Sequence, residues 1–173
     1  DYVSPLFYAP NVSWLVQRNG MHPRHSLMIS LNASEGNHMH ANGISMELYG
    51  KGYVLGPDAG IGLYLYSGLD YAEYYSQFPS HNTVCVDGIS SYPVMKSNHS
   101  FDLLSCFPAS SAAAAAKDKF PSVTYSDVYF REPESRADQT RMMSIVTTGP
   151  ETGYYVDIFR SRKERGGDKM HDY

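Results

Sequence analysis

The chain has 173 residues, 42% of them hydrophobic and 18% charged, and its 14 Lys plus Arg against 18 Asp plus Glu give a net charge of −4 with histidine neutral. That length fits one domain, able to bury roughly two-thirds of its unfolded surface without covalent staples. The mild acidity, with no basic block before Arg160-Ser161-Arg162-Lys163-Glu164-Arg165, excludes a general nucleic-acid binder but leaves room for a cleft whose local positive field holds an acidic ligand.

Residues 1–25 hold Pro5, Pro10, Asn19 and Gly20 around Trp14-Leu15-Val16 and read as a linker feeding an edge strand. From residue 26 onward strand signals recur. The spacing predicts strands over Ser26–Leu31, Gly43–Tyr49, Tyr53–Leu55, Asn82–Asp87, Phe101–Phe107, Val123–Phe130, Met142–Thr147 and Tyr154–Arg160, most of them bounded by Gly, Pro, Asn or Ser. In the second run Ile44, Met46 and Leu48 share one face while Ser45, Glu47 and Tyr49 share the other, the signature of a half-buried strand. Gly50-Lys51-Gly52 predicts a tight hairpin, because glycine accepts the positive φ that such turns need. Helical periodicity is almost absent. The fold class expected is therefore all-β, an antiparallel β-sandwich over 26–173. The Ala112–Ala116 run after Ser110-Ser111 is the one low-complexity segment and is assigned no chemistry.

Cys85 and Cys106 permit at most one disulfide and read as buried thiols in apolar strands. No apolar run approaches the roughly 20 residues of a membrane span. The chain begins at Asp1 without an initiator methionine and is expected to be an excised or processed piece, clipped after His171-Asp172-Tyr173.

Chemistry concentrates in three places: His38 and His40, Asp58 after Gly56-Pro57, and His81 between Ser80 and Asn82. A zinc ion takes three or four N, S or O donors at about 2.0–2.3 Å, and His40, Asp58 and His81 supply two imidazoles and a carboxylate. The hairpin at Gly50–Gly52 returns the chain so that Asp58 reaches the level of His40. Spacing alone does not separate this from ordinary strand histidines, nor does it decide whether His38 joins the ligands, since His38 and His40 share a face in a regular strand. Five tyrosines, Tyr64, Tyr66, Tyr71, Tyr74 and Tyr75, crowd the loop 59–80; their rings suit sugar stacking or the cover of a sheet edge.

Taken in order, Asn37-His38-Met39-His40-Ala41-Asn42-Gly43, Tyr49-Gly50-Lys51-Gly52-Tyr53-Val54-Leu55-Gly56-Pro57-Asp58, His81-Asn82-Thr83-Val84-Cys85-Val86-Asp87-Gly88, Asp157-Ile158-Phe159-Arg160 and His171-Asp172-Tyr173 resemble the heparinase II/III-like polysaccharide lyases, a group that includes alginate lyases. The resemblance implies a C-terminal sandwich that meets an N-terminal α/α-toroid of the same protein at a cleft for acidic polysaccharide. It implies cleavage of uronic-acid polymers, alginate or heparin and heparan-like chains, by β-elimination in a periplasmic or secreted bacterial lyase. It casts His38 as the active-site histidine and His40, Asp58 and His81 as ligands of a structural Zn2+; Asn37 and Asn82, which flank the ligands, and Tyr66 of the tyrosine-rich loop are the candidate substrate contacts, with turn capping the alternative for each asparagine. Arg160 and His171 become structural partners of nearby carboxylates. The toroid supplies most catalytic groups, so the isolated domain is expected to be inactive. Two readings compete: a non-catalytic carbohydrate-binding sandwich, and a cupin-like single-metal enzyme using Glu47, whose spacing from His40 is long for that motif and leaves Asp58 unused.

Overall fold

A computed structural model describes residues 4–37, 40–62, 70–90, 96–109, 120–166 and 170–173. Its strands are β1 (Leu6–Ala9), β2 (Trp14–Arg18), β3 (Leu27–Asn32), β4 (Ser34–Asn37), β5 (Ser45–Gly50), β6 (Tyr53–Gly56), β7 (Cys85–Val86), β8 (Lys96–His99), β9 (Asp102–Phe107), β10 (Val123–Arg131), β11 (Asp138–Gly149), β12 (Thr152–Arg162) and β13 (His171–Asp172). Helix among the described residues is confined to short turns at Pro10–Val12, Tyr71–Tyr75 and Phe78–Ser80.

Every strand pair is antiparallel. A five-stranded sheet runs β1-β2-β3-β5-β6 and a four-stranded sheet runs β12-β11-β10-β9, with small pairs β13-β7 and β4-β8. The two large sheets bury alternate side chains against each other, as a period of two requires. Leu15, Leu27, Ile29 and Leu31 face Val128, Phe130, Met143 and Ile145 in one core cluster, where each apolar side chain is worth about 1.5–3 kcal/mol of transfer free energy. Polar bonds also cross the layers. Gln17 Nε2 donates to Met143 O at 3.2 Å, Asn19 Nδ2 donates to Thr147 Oγ1 at 2.9 Å, and Tyr155 OH donates to Tyr49 O.

The β5–β6 hairpin forms as expected. Lys51 and Gly52 carry φ of 58° and 84°, and two consecutive positive φ values are the mark of a type I′ turn matched to strand twist. Three expectations change. Residues 1–25 are more than a linker: β2 lies between β1 and β3, with Leu15, Val16 and Gln17 buried, so a boundary at residue 25 would cut through the sheet. The strand expected over Asn82–Asp87 shortens to β7, because the backbone of 81–83 turns on itself, Thr83 N–H donating to His81 O at 2.8 Å. The strand expected from Met142 begins instead at Asp138, since Gln139 and Arg141 point inward and hide the apolar alternation. The alanine run lies outside the described residues.

Candidate functional site

The site lies on three irregular segments, one between β4 and β5, one after β6 and one after the Phe78–Ser80 turn. His40 is three residues beyond β4, and its backbone is fixed from two sides: Ser34 Oγ donates to His40 O, and Ala41 N–H donates to Ser76 O at 2.8 Å. Ser76 caps the Tyr71–Tyr75 turn, which sets buried Tyr71 edge-on against the His40 ring with centroids 5.4 Å apart. Asp58 follows β6, and the carbonyl beside it is held by Asn82, whose Nδ2 donates to Pro57 O at 2.9 Å and to Met46 O at 3.0 Å. His81 follows the Phe78–Ser80 turn, its N–H donating to Phe78 O at 3.0 Å.

Gly43 makes this packing possible. It takes φ +56°, and a Cβ there would stand 2.7 Å from Thr83 Oγ1 and 3.1 Å from the Phe78 ring. The segment after His40 can press against the segment around His81 only because that position is bare.

Three of the residues expected as metal ligands come together. His81 Nδ1 stands 2.6 Å from Asp58 Oδ2, and the His40 and His81 rings are 5.3 Å apart between centroids. Asp58 Oδ1 also accepts the Gly60 N–H at 2.9 Å. Burial pushes the Asp58 carboxyl up, but the His81 hydrogen bond and charge, the Gly60 amide and His40 outweigh it and hold the carboxyl below its usual value. An ionised Asp58 makes His81 Nδ1 the donor. His40 is held below the usual imidazole value, chiefly by burial and then by His81, with Asp58 opposing.

The donor chemistry fits zinc. His81 Nε2 is buried with no hydrogen-bond partner among the described residues, which leaves it free to ligate a metal. Among the described residues no group of three His, Cys, Asp or Glu already stands in metal-holding geometry. The reason is local. His81 gives its Nδ1–H to Asp58 and so faces a metal with Nε2, and the Asp58–His81 pair has to part before Asp58 can ligate the same ion.

His38 and Tyr66 lie outside the described residues, as does Tyr64. Asn37 closes β4 opposite Lys96. Asn82 commits its amide hydrogens to two backbone carbonyls and braces the Asp58 segment. Tyr74 is exposed and meets Tyr75 edge-on. Glu47, which the cupin-like reading would need, accepts from Tyr49 OH on the outer face of the sheet.

The largest omission of the sequence reading is Arg141. It is fully buried, and all five of its N–H donors are used: Nε and Nη2 on Asp157 at 3.0 and 2.6 Å, Nη1 on Ile44 O at 2.7 Å and Asn82 O at 2.6 Å, and Nη2 also on Tyr173 OH. Asp157 opens one of the quoted motifs, but its cation is Arg141 on β11. Arg160 instead sits opposite Thr140 and pulls on Asp127, whose carboxyl burial raises. His171 pairs with Val86 and helps Lys163 and the Met170 N–H hold Asp87 low. His99 was also missed. It is buried between Phe78 and Phe130, and desolvation pushes it down to about 4 against the pull of backbone groups, that of His40 among them. A cation at an inward strand position was the available signal for Arg141; for His99 there was none.

Among solved structures the fold matches part of a heparinase III with a TM-score of 0.67 at 15% identity, over 94% of this chain and 23% of that one. A curated endo-acting ulvan lyase from Formosa agariphila is 29% identical over 144 residues, which is 79% of this chain and 17% of the lyase. The family model described as "Heparinase II/III-like, C-terminal" matches residues 4–156, and the chain belongs to that family of polysaccharide lyase domains. It spans less than a quarter of the length of either relative. No helix among the described residues is long and apolar enough to cross a membrane.

Proposed function

We propose that this domain forms one wall of the active site of a lyase that cleaves uronic-acid-containing polysaccharide, alginate or a heparin or heparan-like chain, by β-elimination. The observation that carries the reading is the convergence of His40, Asp58 and His81 from three separate segments in a chain of this family. In the reaction the proton on C5, α to the C6 carboxylate, goes to a base, the C4–O bond breaks as the C4–C5 double bond forms, and the departing oxygen takes a proton. His38, two residues before His40, is assigned to the substrate carboxylate or to proton transfer, a role suited to a group that titrates near neutrality. Asn37 and Tyr66 are assigned to substrate contact, and Asn82 to bracing.

His40, Asp58 and His81 would hold a Zn2+ whose chemistry is structural, fixing the three segments and with them the direction of His38. The remaining groups come from an N-terminal α/α-toroid, in a bacterial protein exported to the periplasm or secreted. The protein carrying this domain is to be assayed on alginate, heparin and ulvan for the absorbance of the unsaturated sugar. His38→Ala is expected to lower turnover by about 10²–10⁴-fold while zinc and folding stay near wild type. His40→Ala is expected to release zinc and lower the melting temperature. Equal metal loss in both variants would make the histidines joint ligands and remove the catalytic role of His38. The chain alone is expected to give no turnover.

A second reading is a carbohydrate-binding module, favoured by the outer face of the five-stranded sheet. There Phe7, Trp14 and Tyr49 line a concave surface of about 580 Å³ with Asn32 and Glu47. Trp14 is 43% exposed, with its Nε1 fixed on Ser30 Oγ at 2.9 Å. Polysaccharide binding that Trp14→Ala abolishes, in a protein without turnover on any uronate polymer, would select this reading.

A further inference from the structure

We propose that Arg141 is the positioning residue of the His40–Asp58–His81 site, acting from the opposite sheet through two backbone carbonyls. The inference rests on the site assigned above. Nη1 of Arg141 donates to Ile44 O, at the end of the segment that leaves His40, and to Asn82 O, the carbonyl next to His81. One nitrogen thus clips together the two segments that bring the imidazoles within 5.3 Å of each other.

The clip is itself held rigid. Asp157 grips the guanidinium through two oxygens, and the Phe159 and Tyr173 rings lie 5.2 and 5.4 Å from its central carbon. Tyr173 OH in turn donates to Asp157 Oδ2 at 2.6 Å. A planar fork with five donors can meet a carboxylate, a hydroxyl and two carbonyls at once; a lysine ammonium, with three donors on one atom, cannot. Burial obliges both N–H groups of Nη1 to find acceptors, and the acceptors they find are Ile44 O and Asn82 O. Those bonds are what tie the rim to the core.

The test uses the protein carrying this domain, with Arg141→Lys and, as a control on the same strand, Met143→Ala, which truncates a buried apolar side chain that has no hydrogen bond to give either carbonyl. In metal-stripped protein the hydrogen-bonded Nδ1–H of His81 gives a downfield proton resonance, assigned by its loss in His81→Asn. Arg141→Lys is expected to lose that resonance and Met143→Ala to keep it at a comparable loss of melting temperature. Zinc affinity, measured by competition with a chelator, is expected to fall by about 10–100-fold in Arg141→Lys, the usual effect of removing an outer-shell partner. If Arg141→Lys does not fold, Tyr173→Phe, which removes one of the guanidinium's acceptors, is expected to broaden the resonance and weaken zinc binding several-fold. Retention of the resonance and of zinc affinity in the folded variant would overturn the proposal, as would equal losses in Met143→Ala. A wild-type protein that shows the resonance but binds no zinc would sink the zinc reading while leaving the positioning role standing.

Discussion

The interior of the sandwich and the rim that carries the histidines are built on different principles. Inside, β2 and β3 meet β10 and β11 through alternating side chains, and the stabilising free energy is spread over many apolar residues. At the rim the chain is irregular, and its geometry depends on single bonds from distant residues: Ser34 to His40, Asn82 to Met46 and Pro57, Arg141 to Ile44 and Asn82. The contrast teaches that the interior tolerates small losses gracefully, whereas the rim fails at particular atoms.

The sharpest way to break that contrast is to cut the link between the two regions. Arg141→Met strands Asp157 and three further acceptors and is expected to destabilise by about 3–5 kcal/mol, the cost of breaking a buried charge pair, measured by urea unfolding. Adding Asp157→Leu should recover part of the loss.

Next in size is the effect of pH through His99, which lies under the rim. Its folded-state value of about 4, against 6.5 unfolded, corresponds to about 3 kcal/mol. Below pH 6.5 the unfolded chain takes up the proton before the folded one does, so this stability is fully present above pH 6.5 and lost as the pH falls toward 4. His99→Gln should flatten the dependence of melting temperature on pH across that window. An unchanged slope would assign it to other groups.

Gly43→Ala is the third test. The left-handed backbone costs about 1–2 kcal/mol for any residue with a Cβ, and Thr83 has to move as well. Zinc affinity should fall with stability, because the displaced segment carries His40. Smallest of all, Glu164→Gln removes a pair with Arg162 that is largely exposed, and its effect should stay within about 0.5 kcal/mol.

The same division decides what could be read in the sequence. Alternation in Gly43–Tyr49 and Val123–Phe130 gives β5 and β10 nearly residue for residue, and Gly50-Lys51-Gly52 gives the hairpin, since both signals are local. Polar residues at inward positions defeat the pattern. Gln17 sits buried in β2, inside the segment expected as a linker and edge strand, and Gln139 and Arg141 hide the first third of β11. The convergence of His40, Asp58 and His81 is expected from the resemblance together with their order and the return turn, whereas spacing alone leaves ordinary strand histidines open. The residues that hold them there were not, because Arg141 is 59 residues from Asn82 and 97 from Ile44, and nothing local marks such a bond. The pairing of β4 with β8 escaped for the same reason.

The most direct test of the account is the metal content of the purified protein carrying this domain, measured together with that of His81→Ala. One zinc per chain in the wild type, lost in the variant, is the expected result: it would give the buried Nε2 of His81, which has no partner among the described residues, a role at a metal that ties three segments into one rim. A wild type without zinc after growth and dialysis in its presence, or a His81→Ala variant with full occupancy, would contradict it.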